Sequence, residues 1–117
     1  MPSQEPIPDR DVLVVAHEGT VDERNADVLL NEMNTAIDAG ARKIVLDCSK
    51  LRYISSYGLG VLVRVHKRLA ERGGEIALAC AGDRLMMLLH LVRLDGVFAS
   101  YPTVEQARQA LGGAPRP

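Results

Sequence analysis

Aromatic side chains are scarce in this chain of 117 residues, which contains one phenylalanine, three tyrosines and no tryptophan. A platform of rings for stacking bases or sugars is therefore disfavoured, and the core must be built from aliphatic side chains and methionine. Cysteine is also rare. Cys48 and Cys80 each lie in an apolar run typical of a strand, and we interpret both as buried thiols.

An excess of charge of one sign and long apolar runs are also lacking. The 14 basic and 15 acidic residues are mixed along the chain, and no basic stripe indicates nucleic-acid binding. No apolar run approaches the roughly 20 residues that cross a bilayer. The N-terminus has neither the basic patch nor the apolar stretch of a signal peptide. We therefore expect a cytoplasmic protein that neither binds nucleic acid nor inserts into a membrane.

Clusters of residues that carry catalytic chemistry are missing as well. The three histidines have no metal-ligand spacing, and Ser56 lacks the flanking glycines of a hydrolase nucleophile turn. After Gly58 and Gly60, a valine occupies the third glycine position of a dinucleotide-binding loop. We expect no enzyme activity, no metal and no cofactor. His66 falls on the apolar side of a predicted helix, and we interpret it as a packing residue.

Hydrophobic periodicity divides the chain into alternating strands and helices. The alternation predicts one α/β domain at residues 9–112 with a largely parallel sheet and packed helices. A flexible arm is predicted at 1–8 and a flexible tail at 113–117. The predicted strands are 11–16, 43–48, 75–81 and 97–101. The predicted helices are 23–39, 57–72, 83–94 and 104–111. The predicted N-caps are Asp22, Asp83 and Thr103, the predicted C-cap is Gly40, and a loop is predicted at 49–55.

A pair of serines at the start of the second helix is the leading candidate for a functional site. A hydroxyl there, which we assign to Ser56, lies beside N–H groups without intrahelical partners and beside the positive end of the helix dipole. The first-turn backbone is predicted to cradle a phosphate, and no acid in that turn would repel it. An uncharged serine would serve as an ordinary N-cap. One site with two chemical states suits a covalent switch. The cradling residues are Tyr57, Gly58, Leu59 and Gly60.

A candidate partner surface surrounds the serines. On the second helix, two valines and two arginines fall opposite the core stripe, and exposed valines rimmed by arginines suit a protein partner better than water. A serine and an aspartate near the helix start complete the set. The candidate partner-binding residues are Asp22, Ser55, Val61, Arg64, Val65 and Arg68.

Two further features have both a structural and a functional interpretation. Asp22 and Asp47 close strands that flank the serines, and each is either a capping or loop-shaping residue or part of the site. The third helix carries a Met-Met-Leu-Leu run, at 86–89, which is more apolar surface than one face can bury. That helix is either well buried or a contact patch for a partner or a second copy. We expect a monomer or a weak dimer.

A resemblance to a known family lies in residues 45–62, which read Val-Leu-Asp-Cys-Ser-Lys-Leu-Arg-Tyr-Ile-Ser-Ser-Tyr-Gly-Leu-Gly-Val-Leu. This run resembles the central signature of the STAS domain, and most of all that of the bacterial anti-sigma factor antagonists. The resemblance extends over nearly all of 11–112, including Gly-Thr-Val-Asp at 19–22 and Asp-Gly-Val-Phe at 95–98. It implies a mixed, mostly parallel sheet of four to five strands backed by about four helices.

The resemblance also implies a function. An unphosphorylated antagonist binds an anti-sigma factor of the serine-kinase type and so releases a sigma factor for transcription. The kinase phosphorylates a serine at the start of the second helix, which ends the interaction, and a phosphatase resets it. The position of the acceptor in the family motif is Ser56 here.

The chain departs from the family motif at two positions. Ser55 stands where the family has aspartate, and Tyr57 stands where it has serine or threonine. These departures leave Ser55 as an alternative acceptor. They also leave open a non-phosphorylated adaptor subunit, for example of a lipid-transport complex, or a weak nucleotide-binding domain.

Overall fold

The computed structural model describes residues 12–112, so the predictions for residue 11, for the arm at 1–8 and for the tail at 113–117 lie outside the described residues. The described chain forms strands and helices that alternate as predicted, with two additional strands. In chain order the elements are β1 (Val12–Ala16), β2 (Gly19–Val21), α1 (Ala26–Asp38), β3 (Lys43–Asp47), β4 (Leu51–Ile54), α2 (Ser56–Ala70), β5 (Glu75–Ala79), α3 (Asp83–Leu91), β6 (Ala99–Tyr101) and α4 (Val104–Ala110).

Four strands form a parallel sheet in the order β1-β3-β5-β6. Val45 of the central strand β3 lies opposite Val14 of β1 and Ala77 of β5. The strands β2 and β4 pair with each other, also in parallel, as a separate two-stranded sheet. A parallel strand that is covered on both faces reads as a continuous apolar run, which is why β3 and β5 were recognisable from sequence. The predicted α/β class with a parallel sheet and four helices is confirmed.

Helices cover both faces of the four-stranded sheet. Side chains of α1, α2 and α3, among them Met33, Leu62 and Leu89, form the larger buried cluster with one face. The smaller cluster lies on the other face, where α4 contributes Ala107 and its next turn contributes Leu111. Because successive strand residues point to opposite faces, β3 contributes to both clusters. The four-stranded sheet is therefore the layer that both buried clusters share.

The prediction of a loop at 49–55 was wrong, because residues 51–54 form β4. Both Arg52 and Tyr53 are exposed, so this strand lacks the apolar run that identifies a buried strand. Its hydrogen-bonding partner is β2, about 30 residues earlier in the chain. Pairing between distant segments determines this element, and local periodicity cannot show it.

Two of the predicted helix caps were also wrong. Asp22 was predicted to cap the first helix, but that helix starts after Asn25. The Asn25 side chain donates to the Thr20 carbonyl at 2.7 Å and accepts from the Asp22 N–H at 2.9 Å, so it does not cap the helix either. The N-cap of α3 is Gly82, and Asp83 is the first helical residue. The predicted cap at Thr103 is confirmed, since its hydroxyl accepts from the Gln106 N–H at 3.0 Å.

Helix and strand ends differ from the predictions by a few residues elsewhere. The predicted end of α1 at Gly40 is close, because Ala39 is the C-cap and Gly40 follows with a φ of +112°. The helices α2 and α3 end earlier than predicted, at Ala70 and Leu91. Between residues 12 and 112, no helix is both long enough and apolar enough to cross a membrane.

The two cysteines differ in their surroundings. Cys48 is buried in the larger cluster, as predicted, and burial raises the pKa of its thiol to about 12. Cys80 is only half-buried, contrary to the prediction, because its φ of 59° ends β5 and turns the chain out of the strand direction. The left-handed conformation is costly for a residue with a side chain.

We expect the folded protein to react with thiol reagents at Cys80 and not at Cys48. The thiolate is the reactive form, and a thiol with a pKa of about 12 stays protonated at pH 8. Brief treatment with iodoacetamide at pH 8, followed by peptide mass spectrometry, should show alkylation of the Cys80 peptide alone. Urea-unfolded protein is the control, in which both peptides should be labelled. Equal labelling of the folded protein would contradict the burial of Cys48.

Candidate functional site

The serine pair lies where the carboxyl ends of two neighbouring strands meet. In the β2–β4 pair, Val21 lies opposite Ile54, and the Ser55 N–H donates to the Val21 carbonyl at 2.9 Å. The segment that starts with Asp22 and the start of α2 therefore leave the same edge of this small sheet. Asp22 thus follows directly after the residue that is bonded to Ser55, while its own carboxylate accepts from the backbone and the side chain of Arg24.

Ser55, and not Ser56, is the N-cap of α2. Its Oγ accepts a hydrogen bond from the Gly58 N–H at 3.1 Å, and its backbone is extended, with φ of −80° and ψ of 170°. The side chain is buried, with 9% of the residue exposed. The prediction that Ser56 caps the helix was wrong by one residue, because the helix begins at Ser56 itself.

Ser56 is the exposed member of the pair. It is the first residue of α2, and its side chain has no hydrogen-bond partner among residues 12–112. The N–H groups of the first helical turn lie close to it, and no acidic residue belongs to that turn. Phosphoryl transfer requires a hydroxyl that a second protein can reach, and Ser56 meets this requirement, whereas Ser55 is buried and its Oγ accepts the capping bond.

The two glycines in the first turns of α2 differ in how closely other residues approach them. A Cβ on Gly58 would lie 2.7 Å from Ile54 Cγ1 and 2.8 Å from Val21 Cγ1, so this glycine lets the helix approach the β2–β4 pair. A Cβ on Gly60 would meet no atom within 4 Å. The side chain of Leu59 between them is buried. Of residues 58–60, only Gly60 is exposed.

Tyr57 links the start of α2 to α1. Its hydroxyl donates to Asp27 Oδ1 at 2.6 Å, across 30 residues of sequence. The pKa of Tyr57 is raised, first because ionisation would break this hydrogen bond to the carboxylate. The sequence analysis missed Asp27, and no sequence signal could have found it. It is an ordinary exposed acid in the first turn of α1 until the fold brings it to Tyr57.

The prediction of an exposed valine surface on α2 was wrong. Val61 and Val65 are both fully buried in the larger cluster, because α1 packs against this side of α2. Arg64 is exposed, as predicted. Arg68 is held by α1, through a hydrogen bond to Asn34 Oδ1 at 3.0 Å and an ion pair with Asp38. The helix is thus buried on two sides, and its exposed stripe is narrower than the sequence suggested.

Two other residues singled out in the sequence have structural contacts. Asp47 Oδ1 accepts from the Ser49 N–H at 3.0 Å, and Asp47 lines a recess with Ala16 and His17 rather than joining the serines. The half-buried ring of His66 packs edge-on against Phe98, with 5.8 Å between ring centroids, and the buried Nδ1 has no partner among the described residues. Both therefore keep the structural interpretation.

Comparison with known proteins finds one domain family over most of the chain. The STAS domain family model matches residues 6–107. The anti-sigma F factor antagonist of Paenibacillus polymyxa is 30% identical over 103 residues, which cover 87% of this chain and 86% of that relative.

Solved structures of anti-sigma factor antagonists have the same fold. The crystal structure of one from Mycobacterium paratuberculosis superposes with a TM-score of 0.77 at 26% identity, covering 86% of each chain. The antagonist SpoIIAA matches in its unphosphorylated form with a TM-score of 0.79 at 18% identity, covering 92% of this chain and 93% of SpoIIAA. Its phosphorylated form, from Bacillus, matches at 0.71 and 20% identity, covering 86% and 91%. At these identities the SpoIIAA matches show a shared fold.

The two serines should differ in their contribution to stability. Replacing Ser55 by alanine removes the helix cap and should lower the free energy of unfolding by about 0.5–2 kcal/mol. Replacing Ser56 by alanine removes an exposed hydroxyl without a protein partner and should change it by less than about 0.5 kcal/mol. Urea unfolding followed by circular dichroism measures both. A loss on Ser56→Ala as large as on Ser55→Ala would contradict the cap assignment.

The two glycines form a second matched pair. Gly60→Ala should stabilise the protein by up to about 1 kcal/mol, because alanine is the better helix former and its methyl group meets open space. Gly58→Ala should destabilise it by about 1–3 kcal/mol, because Ile54 and Val21 must move to admit the methyl group. Melting temperatures of the two variants should shift in opposite directions. A stabilised Gly58→Ala variant would show that the packing there is loose.

Proposed function

Because the chain belongs to the STAS domain family, we propose that it is an anti-sigma factor antagonist controlled by phosphorylation of Ser56. Its unphosphorylated form binds an anti-sigma factor of the serine-kinase type and thereby frees a sigma factor. Phosphorylation by that kinase ends the interaction, and a phosphatase restores it. The observation that carries the proposal is the exposed hydroxyl of Ser56 at the first position of α2, beside a cap supplied by Ser55.

Ser55 caps the helix and Ser56 is exposed, and this difference supports a switch that leaves the fold intact. Ser55 already satisfies the Gly58 N–H, so modification of Ser56 breaks no hydrogen bond of the described protein. A phosphate there would lie at the positive end of the helix, next to free N–H groups. The cap in this chain is a serine, which is uncharged. The helix start therefore carries less negative charge before phosphorylation than an aspartate cap would give it.

The partner surface that we propose differs from the one read from the sequence. The exposed stripe of α2 contains Ser56, Tyr57, Gly60 and Arg64, spaced as neighbours on one helix face. Asp22 borders this stripe from the β2–β4 edge. Because Gly60 has no side chain, a partner can approach the helix backbone closely there. The buried Val61 and Val65 do not belong to this surface, and Arg68 serves the contact between α1 and α2.

Charge is the means by which phosphorylation would release the partner. A phosphoserine adds about -1.5 to -2 charges at pH 7 to a surface that binds when Ser56 is neutral. Burying that charge against a partner surface costs desolvation, and any acid on the partner adds repulsion. Each 1.4 kcal/mol lowers the affinity about tenfold, so a few kcal/mol suffice for release. The proposal implies a cytoplasmic protein, since its partners act on transcription.

Substitutions of Ser56 test the switch. Ser56→Asp should weaken binding to the kinase-type anti-sigma factor by roughly tenfold or more, because it adds a permanent charge. Ser56→Ala should bind as the parent does and should remain bound in the presence of ATP and Mg²⁺. Binding is measured by titration calorimetry with each serine-kinase-type anti-sigma factor of the source genome. The phosphorylated residue is identified by mass spectrometry.

The matched control is Ser100→Asp, which adds the same charge at an exposed serine on β6. It should bind as the parent does. Phosphate found on Ser55, or phosphorylation that persists in Ser56→Ala, would contradict the assignment of the acceptor. If no serine-kinase-type anti-sigma factor binds the parent protein, the proposed function is wrong.

A further inference from the structure

The helix α3 exposes large apolar side chains on the surface, beside the polar Asp83, Arg84 and His90. Its sequence contains five leucines and methionines in a row, at 85–89, and only Leu89 is fully buried. Met87 is 64% exposed and Leu91 is 70% exposed. Exposed apolar side chains that are rimmed by polar ones mark interaction sites on soluble proteins. The exposed side of α3 therefore has the composition of an interface and no cover within the described residues.

A groove runs between this helix and the strand β4. Its volume is about 290 Å³. Its floor and walls are mainly aliphatic, and Met87 stands at its edge, where a flexible thioether adapts to the shape of an incoming side chain. We call it the α3–β4 groove, and its apolar lining consists of Cys48, Leu51, Ile54, Leu85, Leu88 and Leu91.

The charged residues that line the groove are both basic. Arg52 of β4 and Arg84 of α3 are exposed, and neither has a hydrogen-bond or ion-pair partner between residues 12 and 112. The nearest acid in sequence, Asp83, lies outside the lining. An apolar cleft with two unpaired guanidinium groups is complementary to an apolar segment with carboxylates at its borders.

This charge pattern disfavours a second copy of the chain as the occupant. In a two-fold interface the same patch meets itself, so Arg52 and Arg84 of one copy would face the arginines of the other. Like charges brought together in an interface are costly. A partner with acidic residues around an apolar face avoids this cost.

The groove is continuous with the switch. One of its walls is β4, and Ile54 in that wall is followed directly by Ser55 and Ser56. Tyr53, which is exposed, also lines the groove. A protein that covers Ser56 and extends past β4 therefore reaches the α3–β4 groove without leaving the surface.

We propose that the α3–β4 groove is a second contact site for the kinase-type anti-sigma factor. This inference rests on the function proposed above. The groove binds a segment of that partner that is apolar on one face and acidic at its borders. Apolar side chains enter between α3 and β4, and carboxylates pair with Arg52 and Arg84. This contact supplies affinity away from Ser56, and the contact at Ser56 makes binding sensitive to phosphorylation.

The test compares the affinities of groove variants for the anti-sigma factor by titration calorimetry. Met87→Glu and Arg84→Glu should each bind roughly tenfold or more weakly, because they place a carboxylate against the partner's acids. Met87→Leu should lose less than Met87→Glu, since it keeps an apolar side chain. The loss in Arg84→Glu should shrink at high salt, which screens exposed charges. Ala110→Glu adds the same charge on α4, across the sheet from α3, and should bind as the parent does.

The results separate this inference from the proposed function. If Ser56→Asp abolishes binding while Met87→Glu and Arg84→Glu bind within about twofold of the parent, the groove is not a contact and the switch stands. If the parent binds no kinase-type anti-sigma factor, both fail. If sedimentation shows that Met87→Glu converts a dimer of the free protein to a monomer, a second copy occupies the groove and the inference is wrong. Should Met87→Glu unfold, Arg84→Glu decides alone, because a glutamate suits the first turn of a helix.

Discussion

The parallel pairing of β2 with β4 is the constraint on which the candidate site depends. It places Val21 and Ile54 side by side, and both pack so closely against Gly58 that a Cβ there would force them to move. The Ser55 N–H bonds to the Val21 carbonyl, which fixes the last extended residue before the helix. The helix α2 begins at the next residue, Ser56. The exposure of the Ser56 hydroxyl thus follows from a short strand pair and not from a property of the serine itself.

A structural role and the chemical role that we propose fall on adjacent serines for the same reason. The first N–H groups of a helix lack intrahelical acceptors, and Ser55 accepts from one of them, that of Gly58, from a buried position. The Ser56 side chain then makes no hydrogen bond that the described fold depends on. A group that is modified reversibly can change its charge without a cost in stability only if the fold does not use it. The Tyr57–Asp27 hydrogen bond holds the neighbouring side chain against α1, so the surroundings of the hydroxyl are also fixed.

The strand β4 also joins the two surfaces that we propose for partner binding. On one side it leads into α2 and the switch, and on the other it forms a wall of the groove beside α3. A surface made of two parts has a physical advantage for a switch. Apolar burial supplies affinity that is insensitive to charge, while the contact at Ser56 needs to change by only a few kcal/mol to release the partner.

The sequence alone determined the α/β class, the central strands and four helices, because apolar periodicity is a local property and each buried element carries it. It also determined that serine hydroxyls stand at a helix start without acids in its first turn. Tertiary structure alone decided which serine caps and which is exposed, that Val61 and Val65 face α1, and that Asp27 reaches Tyr57. These outcomes depend on contacts between segments about 30 residues apart. Such contacts leave no trace in local periodicity, since a valine stripe reads the same whether a neighbouring helix or a partner covers it.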